Sequence, residues 1–134
     1  MVSNVTLTSP PDVNRVPGYE HVAIAGGFAF VAGQVARDVD GNWIGGENAG
    51  EQAARIYRNI GRILAHIGAE PTQVVKINTI LVDRADSAAV TEERLAFLGA
   101  HRPPHTGVIV AGLGSPHVKV EVEIIVHVGT AAAS

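Results

Sequence analysis

The chain contains no cysteine. Disulfides, thiolate nucleophiles and cysteine-ligated metals are thereby excluded. Aromatic residues number six, one Trp, two Tyr and three Phe, too few to build base-stacking platforms. Charge is sparse: Asp, Glu, Lys and Arg make up 17% of the chain, with a net charge of -3. The ten basic residues form no block. Arg55, Arg58 and Arg62 recur at helical spacing on a face expected to be solvated. A phosphate backbone finds no neutralising stripe here, so nucleic acid is not an expected partner. No run of about 18 apolar residues is available to span a bilayer, so a membrane is not expected either. The opening MVSNVTLTSPPDVNRVPG has no basic start and no apolar segment behind it. It does not read as a signal peptide, and the cytoplasm is the expected compartment.

What is present is a globular composition. The chain has 134 residues, 46% of them hydrophobic. Residues 1–134 are expected to form one domain, with 1–16 an irregular Pro-rich lead-in and 129–134 a tail. Two strands, near 19–25 and 28–33, meet at Gly26-Gly27, a hairpin signal. Residues 37–46 carry turn chemistry in Asp40-Gly41 and Gly45-Gly46. Ala53, Ile56, Tyr57, Ile60, Ile63, Leu64 and Ile67 recur at three and four, which predicts a helix. Asn48 is placed to cap it and Gly68 to stop it. Residues 74–83 are a β-branched strand. Residues 86–99 suit a second helix, with Asp86 or Ser87 as cap and Gly99 as end. A strand near 106–111 and a long one at 117–128 follow, and GLGS (112–115) reads as the hairpin turn between them.

This order predicts an α+β fold: a mixed, mainly antiparallel sheet with two helices on one face. Val118, Val120, Val122, Ile124, Val126 and Val128 share one face of the last strand and fit under the helices. The opposite face of that strand carries Ile125 beside Glu121 and Glu123, and strand 28–33 is apolar on both sides, with Phe28 and Phe30 on one and Ala29 and Val31 on the other, so the face without helices is too apolar to sit wholly in water. Burial against another copy of the chain is the expected solution.

Three stretches carry a family resemblance: VPGYEHVAIAGGFAFVAGQVARDVDGNWIGG, EQAARIYRNIGRILAHIGAEPTQVVKINTILVD and RPPHTGVIVAGLGSPHVKVEVEIIV. Over residues 17–128 the chain resembles the Rid/YjgF family, the reactive intermediate deaminases. Its markers here are Gly33-Gln34, Glu51-Gln52, the VVK…LVD strand and the VEVE ending. The resemblance implies a chorismate-mutase-like fold and a homotrimer with ligand clefts between subunits. It also implies hydrolysis of enamines and imines to 2-keto acids and ammonia, without a cofactor. The small-molecule ligand would be an imine, a keto acid or a related carbonyl compound.

Carried over residue by residue, the resemblance makes Glu121 the group that positions the hydrolytic water. His105, in Pro103-Pro104-His105-Thr106, stands where the family's carboxylate-binding arginine is expected. Gly107 occupies the position of a small polar residue or cysteine, and Ala32 that of a serine. Tyr19 is retained. Tyr19, Ala32, Gly33, Gln34, Thr106 and Gly107 are thus the expected substrate contacts, with Glu121 and His105 the catalytic pair. An imidazole lacks the planar fork and permanent charge of a guanidinium, so an atypical substrate is expected.

Each of these residues also has a structural reading. His105 would be a solvated turn histidine, and Glu121 an ion-pair partner of Lys119 or Arg102. Tyr19 would satisfy a backbone group, and Gly33 and Gln34 would serve strand packing. His101 and His105 lie four apart, but Pro103 and Pro104 break any helix that would pair them. A three-histidine site with His117 is not expected, nor is any metal. His21, His66 and His127 read as surface or packing residues.

Overall fold

The structure, a computed structural model, describes residues 4–129. Its elements are β1 (Thr6–Thr8), β2 (Val22–Ala25), β3 (Phe28–Gln34), α1 (Ala49–His66), β4 (Val74–Leu81), α2 (Ser87–Leu98), β5 (His105–Ile109) and β6 (Val120–His127). The strands form one sheet in the order β1-β2-β3-β6-β4-β5. β4 and β5 are parallel and the other neighbours antiparallel. Both helices lie on one face; α1 packs on β6, α2 packs on α1, and the β6 stripe Val120, Val122, Ile124 and Val126 belongs to the core they share. The expected mixed sheet and the two-helix layer are therefore present.

The expected connectivity needs two corrections. The lead-in is not wholly irregular, because Thr6–Thr8 pairs with Val22–Ile24. Pro10 and Pro11 follow that short edge strand and end it. The second concerns GLGS, which is not a hairpin turn. β5 lies beside β4, with α2 as the crossover that a parallel pair requires. β6 inserts between β3 and β4, so residues 112–118 cross the sheet end. β-branched periodicity marks a segment as a strand but does not name its neighbour.

Two strands start later than expected because side chains take their backbone groups. The His21 N–H donates to Ser9 Oγ at 2.8 Å, and the β2 ladder begins at Val22. Buried Gln52 takes the His117 carbonyl and the Lys119 N–H, and β6 begins at Val120. The segment beyond Gly129 lies outside the described residues.

The helix ends follow the expected chemistry. Asn48 Oδ1 accepts from the Glu51 N–H at 2.9 Å. At the other end Gly68 has φ +70°. Its N–H bonds to the Ala65 carbonyl, and the Ala69 N–H bonds to that of Leu64, a Schellman closure. α2 ends at Gly99, but its cap differs from expectation. Asp86 makes no capping bond; instead Asp83 accepts from the Ala85 N–H and caps a short 3-10 turn ahead of the helix. No helix among the described residues is long and apolar enough to cross a membrane.

The face away from the helices is the one that positions the site. Phe28, Phe30, Lys76, Asn78, Ile80, Glu121 and Glu123 share it by register. Leu7 is 63% exposed, Phe30 47% and Val108 45%, an uncovered apolar strip. β5 is an edge strand exposed along its whole length.

Candidate functional site

A β-bulge creates the main site. β3 and β6 pair from Phe28 to Val31, and again at Gln34, with a register shift between. Ala32 and Gly33 occupy the bulge, which bends β3 locally before pairing resumes at Gln34. Glu121 fills the space beside it. A Cβ at residue 33 would lie 2.1 Å from Glu121 Oε2, so the glycine is what admits the carboxylate. Burial pushes the Glu121 carboxyl above the ordinary carboxylate range, and the nearby charge of Glu123 adds to it. Glu123 itself accepts from Asn78 Nδ2 at 2.8 Å. The ion-pair partners considered for Glu121 are engaged elsewhere: Lys119 pairs with Glu47, and Arg102 donates to the carbonyls of Gly99 and His101.

The carboxylate borders a cavity of about 530 Å³ whose wall includes Tyr19, Ala32, Gly33 and Gln34. That wall is braced from behind. His21, which sequence alone assigns to packing or the surface, is buried. Its Nε2 bonds to the Asn14 carbonyl at 2.7 Å and its Nδ1 to Gln34 Nε2 at 3.0 Å. Gln34 also donates to the Ala32 carbonyl, so the bulge is fixed at both ends. Across the cavity Arg37 stacks over Trp43 at 3.9 Å, and Trp43 stacks on His117. Tyr19 is 52% exposed at the mouth, and its ring meets His21 edge-on.

His105 is elsewhere. It pairs with Ile77, which itself pairs with buried Ile124, so its side chain points to the helix side. Glu121 pairs with Ile80 on the open side. One chain therefore holds its two expected catalytic groups on opposite faces of the sheet. Thr106 lies on the open side and accepts from Lys76 Nζ at 2.7 Å. His105 and Gly107 line a separate pocket between β5 and α2. There His105 Nε2 meets Thr79 Oγ1 at 2.9 Å and Arg94 Nη1 at 2.7 Å. Arginine only donates, so Nε2 accepts and the ring proton sits on Nδ1. Burial pushes the His105 pKa below the usual histidine range, and the charges of Arg94 and Lys76 act in the same direction. Beneath this pocket, burial pushes the Tyr57 phenol up to about 12, with Arg94 and Thr79 opposing.

Among the described residues no cluster of histidines and carboxylates is arranged to hold a metal. His101 bonds to the Val74 carbonyl and so is not free to join His105. No sequence pattern marks Arg94, Arg37 or Trp43, and none shows that Gln52 is buried. Arg94 sits within an ordinary helical pattern, and only the packing of α2 on β5 brings it to His105.

Gly33→Ala tests the bulge. The substitution forces the flexible Glu121 side chain aside without touching the core. The variant is expected to unfold within a few degrees of wild type. Any activity that uses Glu121 should fall about 100-fold, the cost of displacing a reacting group by roughly 1 Å. Calorimetry and steady-state kinetics on one preparation check both.

The sequence pattern of the family described as endoribonuclease L-PSP matches residues 12–128. A RutC family protein of Pyrococcus abyssi is 33% identical over 109 residues, 81% of this chain and 85% of that protein. The mitochondrial protein Mmf1 of Saccharomyces cerevisiae is 26% identical over 125 residues, 90% of this chain and 85% of its own. The crystal structure of yeast Mmf1 superposes with a TM-score of 0.85, covering 92% of this chain and 98% of that one. That of RidA from an Antarctic Psychrobacter does so at 0.81 with 28% identity, covering 91% and 98%.

Proposed function

Because the chain belongs to the endoribonuclease L-PSP (Rid/YjgF) family, we propose that it hydrolyses or tautomerises a small imine, enamine or enol. The clefts would form between copies of a homotrimer and need no cofactor. The observation that carries this reading is the Glu121 carboxylate, seated beside Gly33 on the wall of a cavity and raised in pKa by burial. A carboxylate in that state accepts a proton more readily than one in water.

In the imine case Glu121 takes a proton from a water molecule as its oxygen bonds to the imine carbon. Glu121 passes that proton to the nitrogen, which leaves a carbinolamine and an ionised carboxylate. The hydroxyl proton then moves by way of the same carboxylate to the nitrogen, the C–N bond breaks as the C=O bond forms, and ammonia leaves with Glu121 ionised again. An enamine is first protonated on carbon; the neutral form of the same carboxyl group would deliver that proton and leave the carboxylate that the water step uses. Tyr19 at the mouth would orient the substrate.

Assembly is part of the proposal. A single chain holds two partial sites, one around Glu121 and one around His105, on opposite sides of the sheet. A closed ring would set the first site of one copy against the second site of its neighbour. The uncovered strip of Leu7, Phe30 and Val108 and the exposed edge β5 support this, since both gain from being covered.

Nuclease action is the weaker reading despite the family's label. A chain of net charge -3 with a carboxylate on its cavity wall offers an RNA backbone little to hold.

The test is turnover and mass together. Purified protein is expected to speed release of ammonia and keto acid from enzymatically generated imines. Light scattering is expected to give three times the 13.9 kDa chain mass. No acceleration with acidic, neutral and basic imines alike would reject the enzyme reading. A folded monomer would remove the shared cleft.

A further inference from the structure

The pocket between α2 and β5 has an unbalanced charge. Its polar lining is Thr79, Arg84, Ser87, Thr91, Arg94 and His105, and it includes no carboxylate. The ion pairs among the described residues are Arg15–Glu20, Arg62–Asp12 and Lys119–Glu47. Arg94 belongs to none of them. The Arg94 guanidinium is partly buried and faces no carboxylate across this pocket.

The way Arg94 is held is informative. Its Nη1 donates to His105 Nε2 at 2.7 Å, and Thr79 Oγ1 holds the same nitrogen from the sheet side. An imidazole that accepts from arginine carries no charge. His105 therefore positions the guanidinium without neutralising it. Gly107 makes room for this arrangement. A Cβ there would lie 3.3 Å from His105 Cε1, tighter than side chains ordinarily pack. With one donor used on His105, the remaining N–H groups of the guanidinium are available to a ligand.

We propose that Arg94, propped by His105, is the specificity-determining group of this pocket and binds the carboxylate of a small anionic substrate. A planar fork matches a planar carboxylate through two parallel hydrogen bonds. The histidine then need not bind the anion itself; it sets the angle of the residue that does. This inference rests on the hydrolase reading for its substrate but not for its binding.

The experiment has a binding arm and a kinetic arm, both on the assembled wild-type protein and on Arg94→Gln. The probes are pyruvate, its uncharged amide and inorganic phosphate, titrated by NMR or calorimetry. Wild type is expected to bind pyruvate more tightly than either other probe. Arg94→Gln should weaken pyruvate by about 10- to 100-fold and leave the amide unchanged. In the kinetic arm the KM of a carboxylate-bearing imine should rise by a similar factor, with that of a neutral imine unmoved. Should Arg94→Gln fail to fold, Arg94→Lys replaces it; a lysine keeps the charge but loses the fork and should recover part of the affinity.

Equal pyruvate affinity in wild type and variant overturns the inference, as does no pyruvate binding by wild type. Preference for phosphate over pyruvate also overturns it. Arg94-dependent pyruvate binding without turnover of any imine rejects the hydrolase reading and leaves this one standing. Imine turnover indifferent to Arg94 does the reverse.

Discussion

Glu121→Gln is expected to lower kcat for imine hydrolysis by about 10²- to 10⁴-fold, the range a positioned acid–base group contributes. The amide keeps the shape of the side chain and its place beside Gly33, but it cannot accept the proton of water. The variant should also unfold at the same temperature as wild type or higher. The sign follows from the raised pKa. The folded carboxyl holds its proton more tightly than the unfolded one, so its effect on stability is most favourable below the unfolded pKa. That advantage is lost as pH rises through the folded value. At neutral pH the ionised group therefore burdens the fold, and glutamine removes the burden. Activity falling while stability holds or rises is the signature of a residue kept for chemistry. The acid limb of kcat/KM should lie above the ordinary carboxylate range in wild type and vanish in the variant. A variant that loses both activity and melting temperature would mark Glu121 as structural instead.

Gln52→Ala is expected to have the largest effect on stability. Gln52 is a buried polar residue of α1. Its Nε2 donates to the carbonyls of Gly46 and His117 at 2.8 and 2.9 Å, and its Oε1 accepts from the Lys119 N–H at 2.9 Å. One side chain thus ties the Gly45-Gly46 turn, the first helix and the loop that enters β6. Truncation leaves three backbone groups without their partner. At about 1 kcal/mol each, the loss is about 3 kcal/mol, a large part of the stability of a small domain. The melting temperature should drop by about 10 °C. Gln52→Met fills the same space without the hydrogen bonds and should recover only the packing share. If Met proves as stable as Gln, the three bonds contribute nothing. Because the tethered loop carries Ser115 and Val118 to the cavity, ligand binding should weaken as well.

Much of this was legible in residue order. The period of α1 marked the buried side of the helix, and Asn48 and Gly68 marked its ends. The alternation of the last strand marked the buried face Val120–Val126. The GQ pair and the VEVE ending pointed to the neighbourhood of Glu121. What stayed hidden depends on contacts between segments far apart in the chain. Gln52 and Lys119 are 67 residues apart, and His21 and Gln34 are 13 apart. No local spacing announces either bond.

The amino-acid sequence by itself determined where both helices and five of the six strands form, which face of the first helix and of the last strand is apolar, and that carboxylates stand on the other face of the last strand. These follow from periodicity, caps and turn residues acting within a few positions of one another. Tertiary structure alone decided that β6 lies between β3 and β4, that a bulge opens a seat for Glu121, and that His105 turns to Arg94 on the other side of the sheet. Strand neighbours and side-chain partners are chosen by packing, a competition among distant segments for the same buried space, and one-dimensional order does not state its outcome.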